Sequence, residues 1–196
     1  PLSVSFLDVG QGDAIYVRTP SGTDMLIDGG PDGSVIGDLR RVMPEFDHDI
    51  DLVVETHPDK DHIAGLSDVF ERYQVKKFLR SEISSGTSFD VSLREHADEE
   101  PGVEQVTARR GQRIILDPDR GIFLDILFPD RDTSDFGETN DASIVARLVY
   151  GSQSFLFTGD SPSSVEHTGV KSAGWLNSTT QLPFCQSLNV RSPWVV

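Results

Sequence analysis

Thr56-His57-Pro58-Asp59-Lys60-Asp61-His62 places two imidazoles and two carboxylates within six consecutive positions, directly after an apolar run. Imidazole nitrogens and carboxylate oxygens ligate Zn²⁺, and a larger carboxylate share favours harder ions such as Mn²⁺. His57 and Asp59, two apart in an extended turn, can face one point, while Asp61 and His62 can face a second point nearby. One stretch can thus serve two metal ions, and two cations can share a hydroxide and stabilise charge on a phosphoryl or acyl oxygen. The competing reading makes Asp59 or Asp61 a helix N-cap beside two incidental histidines. Four potential ligands in six positions at a strand end weigh against it.

The neighbouring patterns say how these groups are held. Asp51-Leu52-Val53-Val54-Glu55 reads as a buried strand, and the spacing of apolar residues predicts an amphipathic helix over about 62–73. The ligands then sit on a strand-to-helix turn, where open α/β folds place their sites. Upstream, residues 3–9 and 14–18 read as strands joined by Gly10-Gln11-Gly12-Asp13, a tight turn whose Gln11 and Asp13 can line the mouth of the site. Met25-Leu26-Ile27 is a further strand ending at Asp28-Gly29-Gly30, and a short helix over Val35 to Met43 is stopped by Pro44. Val75 to Leu79 returns as a strand; residues 81–102 read as a polar loop with one helical turn at most, carrying a solvated His96. Strand signals then follow in series at 103–106, 113–116, 122–128, 144–150 and 154–158, and the turns Pro118-Asp119-Arg120-Gly121 and Gly151-Ser152 join three of them into a meander, which implies a second sheet. Asn140-Asp141-Ala142-Ser143 stands just ahead of one of these strands and Asp160 just after another.

His57-x-Asp59-x-Asp61-His62 resembles the His-x-His-x-Asp-His signature of the metallo-β-lactamase superfamily, with Asp in place of the second His. Two further stretches narrow the resemblance: Phe6-Leu7-Asp8-Val9-Gly10-Gln11-Gly12-Asp13-Ala14, and Asn140-Asp141-Ala142-Ser143 leading to Phe157-Thr158-Gly159-Asp160. Together they are similar to the hydrolase domain of DNA-internalisation competence proteins of the ComEC type, over residues 3–162. The resemblance implies an α+β fold, the αββα sandwich, and a metal-dependent hydrolase of phosphodiesterase or nuclease type. It implies one or two divalent ions, Zn or Mn, held by His57, Asp59, Asp61, His62 and Asp160, with Asp160 between the two and Asn140 or Asp141 left open as a further ligand. It also implies that Asp61 orients the attacking water, that Asp28 supports the ligand loop from behind, and that Gln11, Asp13 and Ser143 lie toward the substrate. The same superfamily hydrolyses thioesters, lactones and β-lactams, so a small-ester or lactone hydrolase is the second reading and an inactive metal-binding remnant the third.

At 196 residues, 37% of them apolar, the chain suits one domain with a real core. No apolar run exceeds about eight residues, far below the length that spans a bilayer, and none reads as a signal peptide. The chain begins at Pro1, just before a strand, as an excised or processed domain would. A net charge of -15 disfavours sequence-independent binding to a phosphate backbone and leaves a small-molecule substrate open. Cys185 stands alone, which excludes an internal disulfide framework.

After Pro162 the character changes: residues 163–196 hold only Glu166, Lys171 and Arg191 as charges, against 46 in the 162 residues before them. The stretch lacks periodicity and reads as a divergent, poorly ordered or frameshifted tail. The His-His-Gly-Ser-type turn that the resemblance leads one to expect is not found, and His167-Thr168-Gly169 is a poor imitation of it. Trp175, Phe184 and Trp194 are expected to patch exposed core or to pack against a second copy of the chain.

Overall fold

The computed structural model of the chain describes residues 1–132 and 136–162. The tail, with His167, Trp175, Phe184, Cys185 and Trp194, lies outside the described residues.

The first sheet is built from β1 (Ser3–Phe6), β2 (Ile15–Arg18), β3 (Asp24–Ile27), β5 (Leu52–Glu55), β7 (Lys77–Arg80) and β8 (Glu104–Thr107), hydrogen-bonded in that order. Its first three strands are antiparallel; β3, β5, β7 and β8 run parallel. Parallel neighbours need crossovers, which α2 (Lys60–Arg72) and α3 (Ser88–Glu99) supply, while α1 (Val35–Val42) follows β3. Two short parallel strands, β4 (Asp49–Ile50) and β6 (Gln74–Val75), close the far end. The second sheet is the expected meander, β9 (Arg113–Asp117), β10 (Ile122–Phe128), β11 (Val145–Tyr150) and β12 (Gln153–Phe157), all antiparallel.

Side-chain alternation separates two cores. Leu26 and Val53 join Leu39, Ile63, Leu66, Val69 and Leu93 beneath the helices. Their strand neighbours Met25, Ile27, Leu52 and Val54 point the other way, against Leu116, Ile122, Leu124, Ile126 and Leu148 of the second sheet. β3 and β5 are buried on both faces, so they read as continuous apolar runs, whereas β10 alternates strictly between buried and half-buried. The described residues therefore form three stacked layers, α, β and β, of an α+β sandwich.

Two stretches depart from the sequence reading. The strand expected at 103–106 in series with the meander strands is β8, paired parallel to β7 in the first sheet. Residues 81–102 contain the twelve-residue α3 rather than a loop. Thr87 caps it by accepting from the Asp90 amide at 3.4 Å, and Leu93 and Ala97 bury one face. Asp90, itself buried, gathers Ser84 Oγ at 2.5 Å, the Ser85 amide at 2.9 Å and Arg94 Nε at 2.6 Å. The signal was the spacing Phe89, Leu93, Ala97 behind Thr87-x-x-Asp90, masked by the polar residues of the outer face. His96 lies on this helix, 3.3 Å from Glu71 and away from the motif.

Candidate metal centre

The site forms where β3 and β5 end side by side. Asp28 follows β3, is buried, and adopts a positive φ of 56°. Its Oδ1 accepts the Thr56 amide at 2.8 Å; its Oδ2 accepts the Thr56 hydroxyl at 2.6 Å and faces His62 Nδ1 at 2.9 Å. A carboxylate that takes a backbone amide of the ligand loop and a ring nitrogen of the helix locks the two elements together.

Two more backbone bonds dock the helix on the loop after β3: the Gly29 amide donates to the His62 carbonyl at 2.7 Å, and the Gly65 amide to the Gly30 carbonyl at 3.1 Å. The helix comes this close because Gly65 has no side chain. A Cβ there would lie 2.1 Å from the Gly29 carbonyl oxygen and 2.4 Å from that of Asp32.

The hydrogen bonds also settle which nitrogen of His57 is free. The Thr56 hydroxyl spends its proton on Asp28, so toward His57 Nδ1, 3.0 Å away, it can only accept. His57 therefore carries its proton on Nδ1, and Nε2 is left with a bare lone pair. That Nε2 is buried and has no hydrogen-bond partner. In His62, Nδ1 faces Asp28 and Nε2 faces Asp160 Oδ1 at 3.6 Å. One carboxylate thus orients both imidazoles, His62 directly and His57 through a hydroxyl.

The two rings stand 4.2 Å apart between centroids, and His57, His62 and Asp160 each offer a ligand atom within 4.8 Å of the others. Asp160 arrives from beyond β12, where Gly159 packs close to Thr56 and Ser143. Asp59 brings its Oδ2 to 3.7 Å from His57 Nε2. Although Asp59 is the N-cap residue of α2, its side chain makes no cap bond. Asp61, on the first turn of α2, accepts from Gln11 Nε2 at 3.4 Å. The glycine-rich turn is seated there, since a Cβ on Gly12 would fall 1.8 Å from the Asp61 carbonyl oxygen.

Asp13 is held above the usual carboxylate range by burial and by the charges of Asp28, Asp160 and Asp61, with His62 opposing, which places it in the same electrostatic field. Burial, then the charge of His62, holds His57 below the ordinary histidine range. Burial alone would also depress His62, but its bonds to Asp160 and Asp28 outweigh that and raise it to about 11. The same bond to His62 holds Asp160 low.

The remaining predicted residues sit on the adjoining segment. Asn140 and Asp141 lie in a 3₁₀ turn (Asn140–Ala142), half-buried, with Asn140 Oδ1 enclosed and lacking a partner. Ser143 is fully buried, its hydroxyl also without a partner, and the next residue's amide bonds the Thr56 carbonyl at 2.9 Å. Asp59, Asp61 and Asp141 fall outside the tight group of His57, His62 and Asp160. Two functional-looking residues had escaped the sequence reading. Thr56 stood inside the motif but had no role assigned, and Thr139, whose hydroxyl bonds Asp59 Oδ1 at 2.6 Å, lies 80 residues from its partner with no local signal.

A divalent cation fits this donor set. An unpartnered, buried imidazole lone pair, a second imidazole and converging carboxylates are what such an ion requires. The sequence profile of the metallo-beta-lactamase superfamily matches residues 7–172, and the chain belongs to that superfamily.

No curated protein matches the chain in sequence. Among solved structures, a HARLDQ-motif mutant of the metallo-beta-lactamase from Cronobacter sakazakii (Enterobacter sakazakii) superposes with a TM-score of 0.53 at 14% identity, over 79% of this chain and 60% of that one. MEM-A1, a subclass B3 metallo-beta-lactamase from a soil metagenome library, gives 0.50 at 15% identity, over 85% and 70%. Zn²⁺-bound PqqB from Methylobacterium extorquens gives 0.50 at 16% identity, over 74% and 51%. At these identities the likeness is one of fold, and this chain spans only part of each structure's length. Among the described residues no helix is long and apolar enough to cross a membrane.

Proposed function

We propose that the chain is a metal-dependent hydrolase whose preferred substrate class is a phosphodiester, as in the nuclease-type competence domains that its motifs resemble. The observation that carries this reading is the convergence of His57, His62 and Asp160 around the unpartnered Nε2 of His57. His57, Asp59, Asp61, His62 and Asp160 would hold one or two divalent ions, Zn or Mn, with Asn140 or Asp141 as a further donor. A bound cation supplies Lewis acidity, lowering the pKa of water and polarising a phosphoryl or acyl oxygen.

The chain's own residues do the rest. Asp28 holds His62 by Nδ1 and, through Thr56, keeps the proton of His57 on Nδ1. Asp61, restrained by Gln11, is the group that would take a proton from the attacking water. Gln11 and Asp13 would border the substrate, whereas the fully buried Ser143 would lie behind the site. The net charge of -15 favours a second reading, a small-ester or lactone hydrolase, because nothing in it attracts a long polyanion.

The test is metal content per chain after loading with Mn²⁺ and with Zn²⁺, with cleavage of single-stranded DNA and of thioester and lactone substrates assayed on the same samples. DNA cleavage that requires metal supports the first reading. Ester or lactone hydrolysis without DNA cleavage supports the second. Metal-free protein, or loaded protein inert toward all three, overturns the hydrolase assignment in favour of an inactive remnant.

A further inference from the structure

Asp59 and Thr139 both occupy N-cap positions, Asp59 at the head of α2 and Thr139 at the head of the 3₁₀ turn. Both residue types cap helices well, accepting from an amide two or three positions on. Neither does so here. Instead the Thr139 hydroxyl donates to Asp59 Oδ1 at 2.6 Å, across 80 residues of chain. Asp59, whose extended backbone suits capping, makes no cap bond and is instead held by a bond that ties the 136–142 segment to the motif.

The direction of that bond matters. The Asp59 side chain is 37% exposed, so an unrestrained carboxylate would turn toward water. With Oδ1 engaged by Thr139, Oδ2 is left 3.7 Å from His57 Nε2, the buried nitrogen that lacks a partner. We infer that Thr139 is a positioning residue for the metal centre: its hydroxyl fixes the rotation of the Asp59 carboxylate, so that Oδ2 and His57 Nε2 are presented together to one cation. The inference rests on the metal-site reading above and adds a residue that touches neither metal nor substrate.

The test is calorimetric titration of chelator-treated full-length chain with Mn²⁺ and, separately, Zn²⁺. The proteins are the parent, T139V, T139S, D59A and the D59A/T139V double variant, with a thermal melt of each metal-free protein. Partners that orient a ligand typically set affinity by about 10- to 100-fold, so T139V should bind that much more weakly. T139S, which keeps the hydroxyl, should stay within a few-fold of the parent. If Thr139 acts through Asp59, the double variant should bind no more weakly than D59A alone.

T139V with parental affinity overturns the inference even if its melting point falls, since a purely structural role moves the melt and not the affinity. A further loss on the D59A background, as large as on the parent, also overturns it. A parent that takes up neither ion defeats the metal-site reading, and this inference with it, an outcome distinct from the other two.

Discussion

Gly65 and Gly37 both lie within helices, and replacing each by Ala should move stability in opposite directions. Gly37, on α1, has nothing within 4 Å of the position a Cβ would take. Gly37→Ala should therefore gain helix propensity, about 0.5–1 kcal/mol. Gly65 faces two carbonyl oxygens at 2.1 and 2.4 Å and Val35 Cγ1 at 3.0 Å. Backbone cannot rotate aside as a side chain can, so α2 must recede by roughly 1 Å.

A recession of that size takes the bonds from the Gly29 amide to His62 and from the Gly65 amide to Gly30, now 2.7 and 3.1 Å, beyond hydrogen-bonding range. Two lost bonds at about 0.5–1.5 kcal/mol each and overpacking of about 1–3 kcal/mol, less the propensity gain, leave a net cost of about 1–5 kcal/mol. For a chain of this size that is a fall of about 2–20 °C in Tm, against a rise of a few degrees for Gly37→Ala. Because His62 lies one turn before Gly65 and meets Asp28 at 2.9 Å, metal affinity should fall in Gly65→Ala and stay parental in Gly37→Ala. Thermal and urea melts of both variants, with metal titration, make the comparison. A Gly65→Ala protein as stable as the parent would refute the close docking of α2.

Other expected outcomes follow from single contacts. Thr56→Val removes the hydroxyl between Asp28 and His57; it should cost about 1–3 kcal/mol in urea denaturation and weaken metal binding, while Thr56→Ser should retain both. Asp61→Ala should lower turnover by at least about 100-fold with little change in melting temperature, and retained turnover would remove Asp61 from the proposed scheme. Tyr16→Phe strips the hydroxyl that donates to buried Asp24 at 2.8 Å, and should cost about 1–3 kcal/mol. Burial, foremost, holds the Asp24 carboxyl above its ordinary 3.8. The folded chain thus keeps a proton that the unfolded chain releases, so Asp24's contribution to stability is greatest below that pH and is lost as pH rises through the raised value. Asp24→Asn should flatten that part of the pH–stability profile, and an unchanged slope would count against it.

What could be read in advance was what is local in sequence. The buried strand, the turn and the helix over 51–73 are contiguous, so their apolar spacing and the ligand types between them appear in a single window. The meander was legible because its strands are consecutive and short turns join β9 to β10 and β11 to β12. The sequence reading failed in two physically different ways. α3 was missed because only Leu93 and Ala97, with half-exposed Phe89, mark its inner face, while its start is organised around a buried carboxylate, Asp90. A supporting place for Asp28 was expected from the family resemblance, but the two hydroxyl links were missed: Thr56 meets Asp28 across 28 residues and Thr139 meets Asp59 across 80.

That second failure bears on function more than the first. A list of ligand types says that a cation can bind; which imidazole nitrogen and which carboxylate oxygen meet it depends on hydroxyls and acids that never enter such a list. Here two threonines carry that information. Thr56 passes the orientation of Asp28 to His57, and Thr139 restrains Asp59, the carboxylate beside the same nitrogen. A chain that kept all five expected ligands but lost both hydroxyls would still match the motif, and should bind metal poorly.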